Sequence, residues 1–180
     1  MSLGASPLTD LHALQAIRLI SSNFEKSIAA PLNLEYRTNM MLASLEAGLA
    51  FSNASLGAAH AMGHSLGGLL DLPHGQCNAT ILASVIDFNY DPAAQRYRDI
   101  ATAMGIEVMG LTSSEIRRRL IDEIRRLREA VGLSDTLSRF GVHRSEAQEL
   151  ASTAFRDPCV VTNPRPPQLR DLEVIYEESL

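Results

Sequence analysis

The sequence contains no tryptophan, and aromatic residues make up only 5% of its 180 positions. A hydrophobic core must therefore be built from leucine, isoleucine, alanine and methionine, a composition typical of packed helices. With 46% hydrophobic residues, the chain is long enough for one globular domain, whereas two domains would be crowded. We therefore predict an all-α fold, a single helical domain of about seven to nine helices.

Cysteine is scarce as well, since only Cys77 and Cys159 are present and they form no CxxC motif. This usage is typical of a reduced intracellular protein with free thiols. The net charge of −5 gives no attraction to nucleic acid or to an anionic membrane surface, so we expect neither partner. Because no apolar run could span a bilayer and the N-terminus does not resemble a secretion signal, we expect a cytoplasmic protein.

A glycine-rich loop of the kind that binds dinucleotide phosphates is also missing. Gly67 and Gly68 do not follow a predicted strand, and Gly48 and Gly57 are isolated. The chain therefore contains no recognisable binding motif of its own for a nucleotide cofactor.

Histidine, in contrast, is concentrated, because three of the five histidines lie in the otherwise apolar, glycine-rich segment 58–75. His60 and His64 are one helical turn apart, so both imidazoles can face a common point. His74 follows two glycines and a proline, where we expect the helix to loosen and the chain to turn back. This pattern predicts three imidazoles around a divalent metal ion, and the alternative is three ordinary packed histidines. A zinc-protease motif is excluded, because Ala61 stands where that motif requires glutamate.

The rest of the chain shows helical patterns with clear start and stop signals. An apolar stripe begins after Pro7 and ends at Pro31. A long helix over 34–55, apolar over much of its surface, is predicted to be central. Thr112 and Glu115 form a capping box ahead of an amphipathic helix, whose arginines are interspersed with acidic residues and are predicted to form a solvated face.

Two distant stretches carry specific motifs. Around the histidines, Gly-Leu-Ala-Phe-Ser-Asn precedes His60 and His-Gly-Gln-Cys-Asn-Ala begins at His74. Near the other end stand Asp157-Pro158-Cys159 and Thr162-Asn163-Pro164-Arg165. Both stretches, and the spacing from His60 to His74, resemble the C-terminal helical domain of the iron-containing (group III) alcohol dehydrogenases. The resemblance covers nearly the whole chain and implies that residues 1–180 form this domain, without the N-terminal NAD(P)-binding domain.

The resemblance implies roles for the histidines. In the family, one aspartate and three histidines hold the metal, in a cleft between the helical domain and an N-terminal α/β domain that binds NAD(P). His60 and His74 match two of these ligands. His64 matches a non-ligand that faces the cleft near the nicotinamide and helps to relay the alcohol proton, and is therefore the candidate catalytic residue.

Three further residues match positions near the family's active site. Phe51 and Asn53 match residues close to the nicotinamide and the substrate, although an asparagine near a helix end is equally a cap. Cys159 matches a residue close to the substrate pocket, and the alternative for it is a small buried hydrophobic residue.

The resemblance also shows what the sequence does not supply. The family's aspartate and its first histidine ligand come from a helix that precedes the segment matching Ser6 to Asp10. We therefore expect the C-terminal metal-binding part of an iron-dependent alcohol dehydrogenase, inactive in isolation. The family transfers hydride between a primary alcohol or aldehyde and NAD(P), assisted by a metal that polarises the alcohol oxygen. The implied cofactor is Fe²⁺, Zn²⁺ or another divalent ion, with NAD(P) bound only if a partner chain supplies the N-terminal α/β domain.

Two alternatives stay open at this point. The chain could be a self-contained helical metal-binding protein in which His60, His64 and His74 form a three-imidazole site. It could also be a structural remnant that now acts as an oligomerisation module, for example as a homo-oligomer, because an apolar face would be left without its former partner domain.

Overall fold

The computed structural model describes residues 1–134 and 136–180, and this part of the chain is helical and contains no β-strand. None of its helices is long and apolar enough to cross a membrane. The predicted all-α class and the predicted number of helices are confirmed. In the described ranges the α-helices are α1 (Pro7–Ala29), α2 (Leu34–Ala54), α3 (Ala58–Leu70), α4 (His74–Asn89), α5 (Ala94–Ala103), α6 (Ser113–Ala130), α7 (Ala147–Phe155) and α8 (Leu169–Glu178).

Local sequence explains where several helices begin and end. At the start of α1, the Ser6 side chain accepts a hydrogen bond from the backbone N–H of Thr9. The predicted capping box before α6 is present, since Thr112 accepts from the Glu115 N–H and the Glu115 carboxylate accepts from the Thr112 N–H. Gly105 lies just beyond α5 with a φ of +84°, a left-handed conformation that favours glycine at this position.

Two hydrophobic clusters share α4 as a common wall. Ile81 and Val85 of α4 belong to a cluster that includes α3, α7 and α8, whereas Ala83 and Ile86 belong to a second cluster with α5 and α6. The first cluster contains Met62, Leu66, Leu150, Leu172 and Tyr176, all buried. Helix α3, which carries two of the three clustered histidines, is therefore fixed by packing against both α4 and α7.

The prediction that the second helix is central is wrong. The residues that α2 buries are Ala43, Ala50 and Ala54, and its main neighbour is α1. An apolar helix that packs mainly against one neighbour can bury only one of its faces, so its other apolar side chains are exposed to solvent. The large exposed ones are Leu34, Met41, Leu42, Leu45, Leu49 and Phe51.

The expectation that the glycine pair loosens the third helix is also wrong. Helix α3 continues through Gly67 and Gly68 to Leu70. The chain turns at Asp71, which is left-handed with a φ of +51°, and α4 begins directly after Pro73. The reversal that brings His74 back is therefore produced after the helix rather than within it.

Candidate metal centre

The structure brings three histidine rings together. His60 and His64 stand on successive turns of α3, and His74 is the first residue of α4. The ring centroids are 6.2 Å apart for His60 and His64, 5.3 Å for His60 and His74, and 5.2 Å for His64 and His74. The reversal after α3 thus places all three imidazoles in one cluster at the start of α4.

The first turn of α3 is anchored by a buried amide from the far end of the chain. Asn163 Oδ1 accepts the Ala58 N–H at 3.0 Å and the Asn89 side-chain amide at 3.0 Å. Its Nδ2 donates to Asn89 Oδ1 at 2.7 Å and to the Arg165 carbonyl at 2.6 Å. Every donor and acceptor site of this amide is thus used, and sequence reasoning treated Asn163 only as part of a motif.

Two further buried hydrogen bonds fix α3 against its neighbours. The Ser65 hydroxyl donates to the Leu150 carbonyl of α7 at 2.9 Å, and the Tyr176 hydroxyl of α8 donates to the Met62 carbonyl at 2.9 Å. Burial raises the pKa of Tyr176, which therefore keeps its proton as a donor. These contacts set the rotation of α3 and hence the direction in which its histidines point.

His74 is held by Asn78, one turn further along α4. Asn78 Nδ2 lies 2.9 Å from His74 Nε2 and donates to it, so Nε2 carries the lone pair. Asn78 Oδ1 is the one buried side-chain oxygen or nitrogen in the described residues that has no hydrogen-bond partner. It is pressed against Gly63 of α3, where a Cβ atom would lie only 2.1 Å from it.

A methyl group at Gly63 is expected to disturb this contact. We expect Gly63→Ala to destabilise the fold by about 1–2 kcal/mol, because Asn78 must move and lose its bond to His74. Urea denaturation measures this change in the free energy of unfolding. Gly67→Ala is the matched control on the same helix, where a Cβ meets nothing within 4 Å, and it should stabilise by about 0.5–1 kcal/mol. Equal effects of the two changes would contradict close packing at Gly63.

His60 is the most enclosed of the three rings and is half-buried, whereas the other two are exposed. Burial lowers the pKa of His60, and the neighbouring His74 and His64 lower it further. His60 is therefore neutral at pH 7, with a nitrogen lone pair available for a metal ion.

His64 is oriented by Asp157, which follows α7. His64 Nδ1 donates to Asp157 Oδ2 at 2.8 Å, and the same carboxylate accepts the Cys159 N–H at 2.8 Å. Burial opposes ionisation of Asp157, but these hydrogen bonds outweigh it and place its pKa below the ordinary value. Because Nδ1 carries the proton, Nε2 of His64 is the nitrogen with the lone pair. Sequence reasoning assigned no role to Asp157, whose only signal was its place in the Asp-Pro-Cys motif.

Cys159 lies beside this histidine–aspartate pair. Burial and the neighbouring Asp157 raise the pKa of Cys159 to about 11, so its thiol is protonated at pH 7. Its Sγ and the ligand atoms of His64 and Asp157 all lie within 4.8 Å of one another. The residue is partly buried, and it borders the histidine cluster.

Phe51 and Asn53 lie apart, on the last turn of α2. Both are exposed, and Phe51 keeps 48% of its surface accessible. Asn53 Nδ2 donates to the Leu49 carbonyl within the same helix at 2.8 Å, so Asn53 does not act as a cap. The two side chains stand one short loop before the histidine helix.

The residues present fit a divalent metal ion of the iron or zinc type. Imidazole nitrogen is a good ligand for both ions, and His60 offers a lone pair. In the adjacent His74 ring, the Nε2 lone pair accepts the Asn78 amide, so a metal ion would have to take the place of Asn78 there. The donor set is incomplete for a closed site, which usually has four protein ligands. It is therefore suited to form part of a coordination sphere.

Comparison with known proteins identifies the family of this chain. The model of the Fe-containing alcohol dehydrogenase family, C-terminal, matches residues 1–180. The 1,3-propanediol dehydrogenase of Klebsiella pneumoniae is 38% identical over 179 residues, which are 99% of this chain and 46% of that protein. The lactaldehyde reductase of Escherichia coli K12 is 35% identical over 176 residues, 98% of this chain and 46% of the relative. The chain thus spans about half the length of the curated relatives it matches.

Solved structures give the same result. The crystal structure of a 1,3-propanediol oxidoreductase, 38% identical, superposes with a TM-score of 0.96 over 99% of this chain and 47% of its own. The alcohol dehydrogenase of Oenococcus oeni, 34% identical, also gives a TM-score of 0.96, with 99% and 47% covered. The chain belongs to the iron-containing alcohol dehydrogenase family, and it corresponds to the C-terminal region of its members.

Proposed function

We propose that this chain is the metal-binding part of an iron-dependent alcohol dehydrogenase that transfers hydride between a primary alcohol or aldehyde and NAD(P). The observation that carries the proposal is the convergence of His60, His64 and His74 in a chain that matches the C-terminal region of this family throughout. The relatives named for 1,3-propanediol and lactaldehyde support a small primary alcohol or aldehyde as the substrate class.

In this proposal His60 and His74 hold the metal ion. When bound, the ion supplies Lewis acidity that favours deprotonation of an alcohol. His60 contributes a neutral imidazole because its burial disfavours the charged form. Asn78 orients the His74 ring before metal binding, and the ion would replace the Asn78 amide as the partner of Nε2.

His64 is proposed to move the alcohol proton. Its Nε2 accepts the proton, and the Asp157 carboxylate stabilises the resulting imidazolium through the 2.8 Å bond to Nδ1. The His64 side chain is 45% exposed, so the imidazolium can pass this proton to water. Asp157 is thus proposed as a positioning residue that keeps Nε2 of His64 free.

Phe51, Asn53 and Cys159 are proposed to border the nicotinamide and substrate. The exposure of Phe51 and Asn53 leaves both side chains available for contacts with a bound ring or hydroxyl group. Cys159 contributes a protonated thiol next to His64, and the half-buried position limits the space for substrate there.

The nicotinamide cofactor and the remaining metal ligands are proposed to come from an α/β domain outside these residues, for example on a partner chain. The relatives are about twice as long as this chain, which supports this proposal. The exposed apolar side chains of α2 also support it, because apolar surface of this extent is typical of an interaction face.

The first test is an activity measurement on the purified 180-residue chain. We expect no alcohol-dependent NAD(P) reduction by this chain alone under anaerobic conditions with Fe²⁺. Coexpression with the N-terminal half of the Klebsiella 1,3-propanediol dehydrogenase should restore turnover of 1,3-propanediol, followed by NADH absorbance. The His60→Ala chain, coexpressed in the same way, is the control for contaminating host enzymes. Turnover by the pure chain would contradict the proposal.

A self-contained three-imidazole site is the second candidate function. The observation that favours it is the short separation between His64 and His74, 5.2 Å, which is no larger than that between His60 and His74. In this case His64 is a metal ligand rather than a proton relay, and its loss should weaken metal binding.

A homo-oligomer is the third candidate, and the exposed apolar residues of α2 favour it. Sedimentation velocity of the purified chain tests it, with Leu45→Glu as a variant that should dissociate an assembly formed through this face. A monomer at every concentration would contradict an oligomerisation role.

A further inference from the structure

Three chemically different metal-binding side chains meet beside the histidine cluster. They are His64, Asp157 and Cys159, and their ligand atoms all lie within 4.8 Å of one another. Neither His60 nor His74 belongs to this group. The group combines a nitrogen, an oxygen and a sulfur donor, which is a different donor set from the all-imidazole cluster.

The backbone holds two of these donors in a fixed relation. Asp157 precedes the 3-10 segment Pro158–Thr162 and caps it, since one carboxylate oxygen accepts the Cys159 N–H at 2.8 Å. This hydrogen bond keeps the carboxylate and the following thiol close together. The segment also packs against α3, which carries His64. The three donors are thus positioned by two elements that are in direct contact.

The donor set suits zinc better than iron. Thiolate and imidazole are the usual protein ligands of Zn²⁺, and carboxylate is a common third ligand. Zinc bonds of about 2.0–2.3 Å place tetrahedral ligands about 3–4 Å apart, so modest side-chain rotation is enough to close the group around an ion. The 45% exposure of the His64 side chain leaves access for the ion and for a water as fourth ligand.

We propose that His64 Nδ1, an Asp157 carboxylate oxygen and Cys159 Sγ form a second, zinc-selective metal site that is independent of His60 and His74. Binding forms one bond from the ion to each of the three atoms. The Cys159 proton leaves to solvent as the sulfur binds. The single ring proton of His64 moves through solvent from Nδ1 to Nε2, which frees Nδ1 to bind the ion. The ion thereby replaces the hydrogen bond between His64 and Asp157. An occupied site therefore removes the Nε2 lone pair that the proposed proton relay uses.

The test uses Co²⁺ as a spectroscopic substitute for zinc. The purified 180-residue chain, fully reduced and kept anaerobic, is titrated with Co²⁺, and the near-ultraviolet sulfur-to-cobalt charge-transfer band is recorded. We expect the band in the wild-type chain and its disappearance when Zn²⁺ is added. Cys159→Ser should abolish the band, and Asp157→Asn, which keeps the thiol, should weaken Co²⁺ binding by about 10-fold or more.

The controls separate this site from the rest of the chain. Cys77→Ala, which removes the other, buried cysteine, should leave the band unchanged. His60→Ala and His74→Ala should also leave it unchanged, so the outcome does not depend on the proposed function. Circular dichroism checks that each variant is folded. Absence of the band in the folded wild-type chain, or its persistence in Cys159→Ser, would overturn the proposal.

Discussion

Replacing Asn163 with alanine is expected to destabilise the fold by about 3 kcal/mol, a large effect for a single polar residue. The side chain is 1% exposed, and its amide makes four hydrogen bonds. Truncation leaves the Ala58 N–H and the Asn89 side chain buried without these partners. The cost exceeds that of a lost surface bond because water cannot replace the missing amide.

Chemical denaturation with urea, followed by helical circular dichroism, measures this change. Asn53→Ala is the matched control, because Asn53 is exposed and bonds only within its own helix, to Leu49. The control should leave the free energy of unfolding within about 0.5 kcal/mol. A similarly small effect of Asn163→Ala would show that the Asn163 amide does not hold the histidine helix α3.

The helices could be predicted because their signals are local in sequence. The capping box of Thr112 and Glu115 lies within four residues, and α1 begins at Pro7, where the sequence shows the start of an apolar stripe. The burial of α2 could not be predicted in this way. Its composition is apolar, but burial depends on how many neighbours pack around a helix, which sequence periodicity does not reveal.

The candidate site could likewise be predicted only where its signals are local in sequence. Helical spacing indicated that His60 and His64 share a face, and the structure places their rings 6.2 Å apart. Asp157 and Asn163 carried no such local signal, because their partners His64 and Ala58 lie 93 and 105 residues away in sequence. A single sequence cannot indicate contacts of that range without a known fold, so these two residues had to be found in the structure.

Removing either proposed metal ligand is the change with the largest expected effect on binding. We expect His60→Ala and His74→Ala each to weaken Fe²⁺ binding by about 100-fold or more, because each removes one of only two ligands that the chain supplies in this proposal. His64→Ala should change the affinity by less than about threefold, or 0.7 kcal/mol, because His64 Nδ1 is bonded to Asp157 and His64 is not a proposed ligand of the ion held by His60 and His74.

Anaerobic isothermal titration calorimetry measures these affinities. All variants should carry Cys159→Ser as well, so that metal bound through the thiol does not contribute. With half of a coordination sphere, the parent chain should bind with a Kd above about 1 μM. Binding well below that value, weakened equally by His64→Ala and His60→Ala, would contradict the two-ligand assignment. In that case the three rings, which already lie 5.2–6.2 Å apart, form a complete site without any partner.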